Sequence, residues 1–237
     1  MSLATPLTHL AELASVEEEL AADLESRAAA WSQVDSALPG WTRAHVVAHL
    51  TGNAYGLINL TRWAGTGTET PMYPSKEARA SEIDRRAALP WSELLADHAK
   101  AVGALRSALL GLSEPVAARA LRLGSGARAD AWALGAIRIR EVEIHRVDLA
   151  GDYTASDWSS TFTLRTLGEL TPFFRSSREV PVHVLRATDT GNCWDVGADG
   201  ADLVGHEADL LAWLLGRPYR DITTTDHSRV PDAPAWV

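Results

Sequence analysis

One helical segment carries polar side chains on the face that an amphipathic helix would normally keep apolar. The residues of this face recur at intervals of three and four: Leu134, Ile137, Glu141, His145 and Asp148. Residues at that spacing share one side of an α-helix. Glu141 and His145 are one turn apart, so their Cβ atoms would lie about 5–6 Å from each other. A carboxylate and an imidazole at that separation can bind one metal ion, and this ligand chemistry suits zinc.

A metal site needs at least one further ligand from another part of the chain. We predict His49, which lies deep in a second helix between the apolar residues Ala48 and Leu50. His45 is an alternative, because His45 and His49 are themselves one turn apart. The pair on the other helix also has a simpler interpretation, as an ordinary intrahelical pair on a solvated face.

Asp148 follows His145 by three residues and has more than one possible role. It can orient the imidazole of His145 from outside the metal site. It can equally cap the helix or form a surface salt bridge.

The composition limits the classes of function. The chain has 237 residues, of which 46% are hydrophobic and 22% are charged, as in an ordinary globular protein with a substantial core. A net charge of -9 without any basic run argues against nucleic-acid binding. Cys193 is the single cysteine, so neither an intrachain disulfide nor a thiolate cluster can form, and we expect a small buried side chain there.

The N-terminal residues and the hydropathy pattern predict the location. Residues 1–13 lack a basic region followed by an apolar core, and no apolar run approaches the length of a membrane span. We therefore expect a cytoplasmic protein without membrane contact. Nothing in the sequence requires an interface, so we expect a monomer.

Four long segments with helical periodicity occupy the first part of the chain, at 6–34, 43–63, 90–112 and 130–151. We expect Thr42 and Asp130 to cap the second and fourth segments, and Ser75 to cap a short helix that ends near Arg86. Residues 113–128 predict a loop or a weak hairpin. The acidic cluster of the first segment is expected to be solvated; it contains Glu17, Glu18, Glu19 and Asp23. Four helices joined by loops predict a four-helix bundle, which can build a metal site between facing helices.

The pattern changes after Gly151, where short alternating segments replace long helices. Strands are predicted at 180–187, 193–196 and 202–204, and helices at 162–174 and 206–215. We therefore assign the chain to the α+β class, with a helical domain at 1–151 and a smaller α+β domain at 152–237, each within the usual domain size.

Several of these segments together resemble the mycothiol-dependent maleylpyruvate isomerases. They appear in the same order as in that family: Gly40–Arg43 leading into His49, the loop Thr66–Tyr73, the helix Arg138–Asp148, and Gly216-Arg217. The Glu-x-x-x-His motif with one upstream histidine also occurs across the wider DinB-like metalloprotein superfamily. The Thr70–Tyr73 loop is more specific to the isomerases.

The resemblance implies a DinB-like four-helix bundle followed by an α+β domain. It implies that His49, Glu141 and His145 are zinc ligands, that Arg217 matches an arginine important for activity, and that mycothiol is the cosubstrate. We expect a thiol at the open zinc position to lose its proton. The thiolate would add to the cis double bond of maleylpyruvate, allow rotation, and leave to give fumarylpyruvate, in aromatic degradation of the gentisate type.

The substrate carboxylates and the developing enolate require positive charge. Arg217 is the first candidate, and Arg138 and Arg140 on the zinc helix are weaker ones. Met72 and Tyr73 either line the pocket or belong to the core. Two other functions remain open: another zinc-dependent mycothiol S-transferase of the same superfamily, and a zinc-binding regulator without turnover.

Overall fold

The chain divides into two compact units, Met1–Ala150 and Gly151–Val237. The structure, a computed structural model, describes residues 6–177 and 180–233. Within these residues, no helix is both long enough and apolar enough to cross a bilayer.

The first unit is built from four long helices with shorter elements in their connections. Its helices and strands are, in chain order, α1 Pro6–Ser26, α2 Ala29–Ser32, α3 Arg43–Thr66, α4 Lys76–Ala87, α5 Trp91–Leu110, α6 Glu114–Ala117, β1 Ala120–Arg122, β2 Arg128–Asp130 and α7 Leu134–Asp148. Helices α3 and α1 each pack against both α5 and α7, which closes a ring of four helices. The predicted four-helix bundle is confirmed.

Apolar stripes of the four helices meet inside this ring. The fully buried leucines of the bundle include Leu20, Leu24, Leu50, Leu57, Leu60, Leu94, Leu105 and Leu134. Burying one such side chain stabilises the fold by about 1.5–3 kcal/mol. The periodicity of each helix therefore decides which side faces the core.

The first helix is shorter than its periodicity predicts. It ends at Ser26, and α2 follows as a separate turn. At the break, Trp91 Nε1 donates a hydrogen bond of 3.2 Å to the Arg27 carbonyl, and the rings of Trp31 and Trp91 pack at 6.1 Å between centroids. Contacts with α5 thus end the helix, since no Gly or Pro breaks the local sequence.

The helix caps agree with expectation in two of three cases. Ser75 Oγ accepts a hydrogen bond from the Ala78 amide, and Thr42 precedes α3 in extended conformation. The predicted cap at Asp130 is wrong, because a 3-10 turn at Ala131–Ala133 separates it from α7.

Residues 113–128, for which a loop or a weak hairpin was predicted, contain α6 and the start of a hairpin. Strands β1 and β2 pair antiparallel, with Leu121 opposite Ala129. Gly126 closes the turn with φ +86°, a conformation that residues with a Cβ rarely adopt.

The second unit is a small sheet with two helices. Its elements are α8 Ser160–Ser177, β3 Val184–Ala187, β4 Cys193–Asp195, β5 Leu203–Gly205, α9 Glu207–Leu214 and β6 Ile222–Thr224. The strand order is β4-β3-β5-β6, in which only β3 and β5 are parallel. Helix α9 packs on β3 and β5, and α8 packs on β4 and α9. The α+β class is confirmed, although β6 was not predicted.

Cys193 departs from its prediction. Its side chain is exposed, because it lies on β4 at an edge of the sheet.

Candidate metal centre

Helices α3 and α7 bring three potential metal ligands to one point inside the bundle. His49 comes from the buried side of α3, and Glu141 and His145 stand one turn apart on α7. The Nε2 atom of His49 lies 3.0 Å from His145 Nε2 and 3.1 Å from Glu141 Oε2. The third separation, from His145 Nε2 to Glu141 Oε2, is 3.7 Å. One ligand atom of each residue therefore lies within 4.8 Å of the others.

His45, the alternative to His49, is occupied at the start of α3. Its Nδ1 atom lies 2.8 Å from Thr42 Oγ1, and the Thr42 amide donates to the same nitrogen at 3.3 Å. This arrangement satisfies an amide that precedes the first helical turn. Among the residues that the structure describes, the three-ligand group contains His49 and not His45.

Asp148 holds the second imidazole in place. Its buried carboxylate lies 2.8 Å from His145 Nδ1. Because a carboxylate accepts, this contact puts the ring hydrogen of His145 on Nδ1 and leaves the lone pair of Nε2 directed at the other ligands. Of the alternatives for Asp148, the structure favours orientation of His145.

The protonation states suit a cation. Burial is the largest influence on His49 and lowers the pKa of its imidazole to about 4, so the ring is neutral at pH 7. Burial alone would raise the pKa of Glu141. The hydrogen bond from His49 and the positive charge of neighbouring residues outweigh that effect and lower this pKa to about 2. A neutral imidazole and a charged carboxylate are the forms that bind metals.

The donor set fits zinc with one position left open. Two imidazoles and one glutamate form one of the common ligand sets of catalytic zinc sites. Bonds of 2.0–2.1 Å in a tetrahedron require ligand atoms roughly 3.3 Å apart, close to the three separations found here. The side chain of His49 is only 6% exposed, whereas that of Glu141 is 30% exposed. The ligand group is therefore buried on the side of His49 and accessible on the side of Glu141, where a fourth ligand can enter.

Arg138 is buried in the bundle core, and its candidacy for substrate binding is wrong. Its side chain is 0% exposed. It donates to Glu17 Oε1 at 2.6 Å, to the Leu50 carbonyl at 2.7 Å and to Asn53 Oδ1 at 3.0 Å. Glu17 is consequently buried, which corrects the expectation for this residue, whereas Glu18 and Glu19 are exposed as predicted. Arg140 is half-buried, and its charge is one of the influences that lower the pKa of Glu141.

The loop before α4 packs directly on α3 beside the ligands. A Cβ at Gly56 would lie 2.7 Å from Met72 Cγ and 3.1 Å from Tyr73 Cε1, so only glycine permits this approach. Burial is the largest influence on Tyr73 and raises the pKa of its phenol. Tyr73 and buried Met72 thus contribute to the packing around the site.

Two site neighbours were not identified from the sequence. Arg79 on α4 places Nη2 3.0 Å from His49 Nδ1. Trp41 lies with its ring centroid 5.7 Å from that of His49. No local pattern marks Arg79, which sits in a helix of mixed charge. Its position depends on how the loop seats α4 against α3.

Arg217 belongs to the second unit. Gly216 ends α9 with φ +68°, and the Arg217 amide then donates to the Ala212 carbonyl at 2.8 Å. Its Nη1 donates to the Leu215 carbonyl at 2.7 Å. Both the backbone amide and the guanidinium of Arg217 are thus hydrogen-bonded to carbonyls at the end of α9. A catalytic role for Arg217 stays a prediction.

Comparison with known structures gives strong similarity over the whole chain. A crystal structure of the mycothiol-dependent maleylpyruvate isomerase matches with a TM-score of 0.92 and 29% identity, covering 98% of each chain. A crystal structure of a histidine-to-alanine mutant of that enzyme matches with a TM-score of 0.91, at the same identity and coverage. An uncharacterized protein from Clostridium difficile 630 shares the fold over 63% of this chain and 96% of its own, at 13% identity and a TM-score of 0.51.

Sequence comparisons agree with this similarity in the first unit. No curated protein sequence matches the chain. Residues 11–150 match the family model described as Mycothiol maleylpyruvate isomerase N-terminal domain. That segment contains all three ligand residues and both helices that carry them. The chain therefore belongs to the mycothiol maleylpyruvate isomerase N-terminal domain family.

Proposed function

We propose that this protein is a mycothiol-dependent cis-trans isomerase that converts maleylpyruvate to fumarylpyruvate. The observation that carries the proposal is the convergence of His49, Glu141 and His145 from two helices. This convergence occurs in a chain whose structure matches the mycothiol-dependent maleylpyruvate isomerase over 98% of its length. Zinc is the metal that we propose for these three ligands.

The residues of the chain prepare the site in three ways. Asp148 fixes the ring of His145, and burial keeps His49 neutral. The side chain of Glu141 is 30% exposed, and we propose that the thiol enters from this side. A zinc ion held there would lower the pKa of that thiol, so that the reactive thiolate forms near neutral pH. The single cysteine of the chain is not required, because the sulfur comes with the cosubstrate.

The proposed reaction has no net oxidation or reduction. The thiolate forms a C–S bond to one carbon of the cis double bond. The π electron pair of the double bond moves to the conjugated carbonyl, which becomes an enolate. Rotation then occurs about the resulting single bond. The enolate collapses, the C–S bond breaks, and the thiolate leaves with the trans isomer. We propose Arg217 as a cation for the enolate or a substrate carboxylate, since a guanidinium binds carboxylates through two parallel hydrogen bonds.

A spectrophotometric assay of the zinc-loaded protein tests the proposal. Maleylpyruvate should lose its absorbance only when mycothiol is present, fumarylpyruvate should accumulate, and the thiol should be recovered unchanged. Protein treated with a chelator is the control and should be inactive. A stable conjugate of mycothiol with the electrophile would instead identify an S-transferase. A zinc-loaded protein without turnover would contradict both enzymatic functions.

An Arg217→Ala variant tests the second part of the proposal. It should keep its zinc and lose most of its turnover. Unchanged kinetics would remove Arg217 from the site. We also propose a role in ring degradation of the gentisate type and a cytoplasmic location. We propose that the protein is a monomer, which the molecular mass in solution tests.

A further inference from the structure

We propose that Arg79 is a specificity-determining residue that binds a carboxylate of the substrate beside the metal ligands. The identity of that substrate rests on the proposed function. The position, contacts and charge of Arg79 carry the inference.

Arg79 lies at the edge of the metal centre. Its Nη2 is 3.0 Å from His49 Nδ1, and its guanidinium carbon lies 5.6 Å from the centroid of the Tyr73 ring. The side chain is half-buried. Ser75 caps α4 one turn before Arg79, and the preceding loop is seated against Gly56 of α3. The guanidinium is therefore held by packing on one side and directed at the ligand group on the other.

The other arginines of α4 have acidic partners, and Arg79 differs from them. Arg85 pairs with Glu82 at 2.7 Å, and Arg86 pairs with Glu82 at 2.8 Å and Asp97 at 2.9 Å. Among the residues that the structure describes, Arg79 has no ion pair with an aspartate or a glutamate. A half-buried guanidinium without an anionic partner, next to an accessible site, is a natural binding position for an anion.

The hydrogen bond between Arg79 and His49 depends on which nitrogen of the imidazole carries the hydrogen. A guanidinium can only donate, so His49 Nδ1 accepts in this structure and its ring hydrogen lies on Nε2. A neutral imidazole that binds a metal through Nε2 carries its hydrogen on Nδ1 instead. Both groups would then be donors, and their hydrogen bond cannot persist. Binding of a metal at His49 thus frees Arg79 Nη2 to donate to an incoming carboxylate.

This role differs from that of a residue that supports the metal. Loss of a group that orients a ligand weakens metal binding by about 10–100-fold. Loss of Arg79 removes a positive charge near the cation and a hydrogen bond that favours the metal-free form of His49. Zinc affinity should therefore stay the same or rise when Arg79 is replaced, while carboxylate binding falls.

Isothermal titration of the zinc-loaded protein with maleate, a small cis-dicarboxylate, tests the inference without any turnover. Arg79→Gln should bind maleate at least about tenfold more weakly than wild type. Arg79→Lys should fall between the two, because lysine keeps the charge and loses the forked geometry. Arg85→Gln is the matched control, since Arg85 lies on the same helix with a side chain that is 57% exposed, and it should match wild type. Zinc affinity is measured on each variant by competition with a chelating dye.

The outcomes separate this inference from the proposed function. Weaker maleate binding with retained zinc affinity in Arg79→Gln supports it. Equal maleate binding in Arg79→Gln and wild type overturns it, as does a tenfold loss of zinc affinity or a wild-type protein that does not bind maleate. If the protein shows no isomerisation, the proposed function fails, and the titrations still decide whether Arg79 binds carboxylates. In an active enzyme, Arg79→Gln should raise KM for maleylpyruvate more than it lowers kcat.

Discussion

The N-terminal bundle contains two groups of polar side chains, both of which include residues of helix α7. They differ in whether their charges are balanced by residues of the same group or by a cation from outside. The core ion-pair network consists of Glu17, Asn53, His98 and Arg138. The buried Arg138 guanidinium lies 2.6 Å from Glu17 Oε1, and His98 Nε2 lies 3.8 Å from Glu17 Oε2. The candidate metal centre consists of His49, Glu141 and His145, in which one potential ligand atom of each residue converges on one point. The first group is held together by its own opposite charges, and the second has the charge and geometry to bind a cation.

The two groups are also connected. Arg138 lies one turn before Glu141 on α7, and its guanidinium donates to Leu50 and Asn53 on α3, one residue and one turn beyond His49. The core ion-pair network thus braces the two helices that carry the metal ligands. A rigid support of this kind keeps ligand atoms within a few tenths of an ångström of a binding geometry. Substitutions in the metal centre should therefore affect zinc binding, and substitutions in the core ion-pair network should affect the stability of the bundle.

Removal of a ligand should abolish the metal centre and leave the bundle intact. His49→Ala or His145→Ala should lose zinc and reduce activity by at least about 1,000-fold, because the ion would no longer be there to lower the pKa of the cosubstrate thiol. Metal analysis and the isomerisation assay measure the two losses, and circular dichroism should show unchanged helix content. His45→Ala is the control and should keep its zinc. A fully active, metal-free variant at either ligand would end the assignment.

Removal of the buried Arg138 guanidinium should instead destabilise the fold. Arg138→Met removes the buried guanidinium that lies 2.6 Å from the Glu17 carboxylate, which should reduce the free energy of unfolding by about 3–5 kcal/mol. Urea denaturation measures this loss. Arg106→Met, at an exposed pair with Glu18, should cost less than about 1 kcal/mol. Equal effects of the two substitutions would show that the core ion-pair network is not a major support.

Asp148 should matter for metal affinity more than for the fold. Asp148→Asn keeps the shape and loses the charge that holds the ring hydrogen of His145, so zinc affinity should fall by about 10–100-fold. Competition with a chelating dye measures it. Asp23→Asn, which breaks a half-buried ion pair with Arg27 at the end of α1, should leave zinc affinity unchanged. If both variants bind zinc like wild type, orientation of His145 does not depend on this carboxylate.

The core ion-pair network should also make stability depend on pH through His98. Burial is the largest influence on this side chain and, together with the nearby charge of Arg138, lowers its pKa from 6.5 to about 4. The unfolded chain therefore binds a proton between these values that the folded chain does not. Protonation of His98 therefore does not lower the free energy of unfolding above pH 6.5. As the pH falls from 6.5 towards 4, it lowers this free energy by at most about 1.4 kcal/mol per pH unit.

Urea denaturation at several pH values between 7 and 4 measures this effect. The difference in slope between wild type and His98→Gln isolates the contribution of one imidazole from that of the carboxylates. Identical slopes would mean that His98 is protonated in the folded protein as readily as in the unfolded chain.

Local patterns predicted much of the fold. The periodicity of three and four residues located α1, α3, α5 and α7, because the side of a helix that faces the core must be apolar. Alternation found β3, β4 and β5 within a few residues. Strand β6, Ile222–Thr224, was missed because its sequence continues as a run of threonines without alternation, and only its pairing with β5 defines it as a strand.

Some features of the candidate site follow from local sequence, and others depend on residues that are distant in the chain. Glu141 and His145 meet because four residues make one turn of helix, and Gly216 ends α9 because it adopts a positive φ; both follow from the sequence alone. The tertiary structure decided that His49 rather than His45 joins the ligand group, that Arg138 is buried against Glu17, and that Arg79 lies beside the ligands. Each of these depends on the packing of elements that are distant in sequence, and the spacing of residues along one helix does not contain that information.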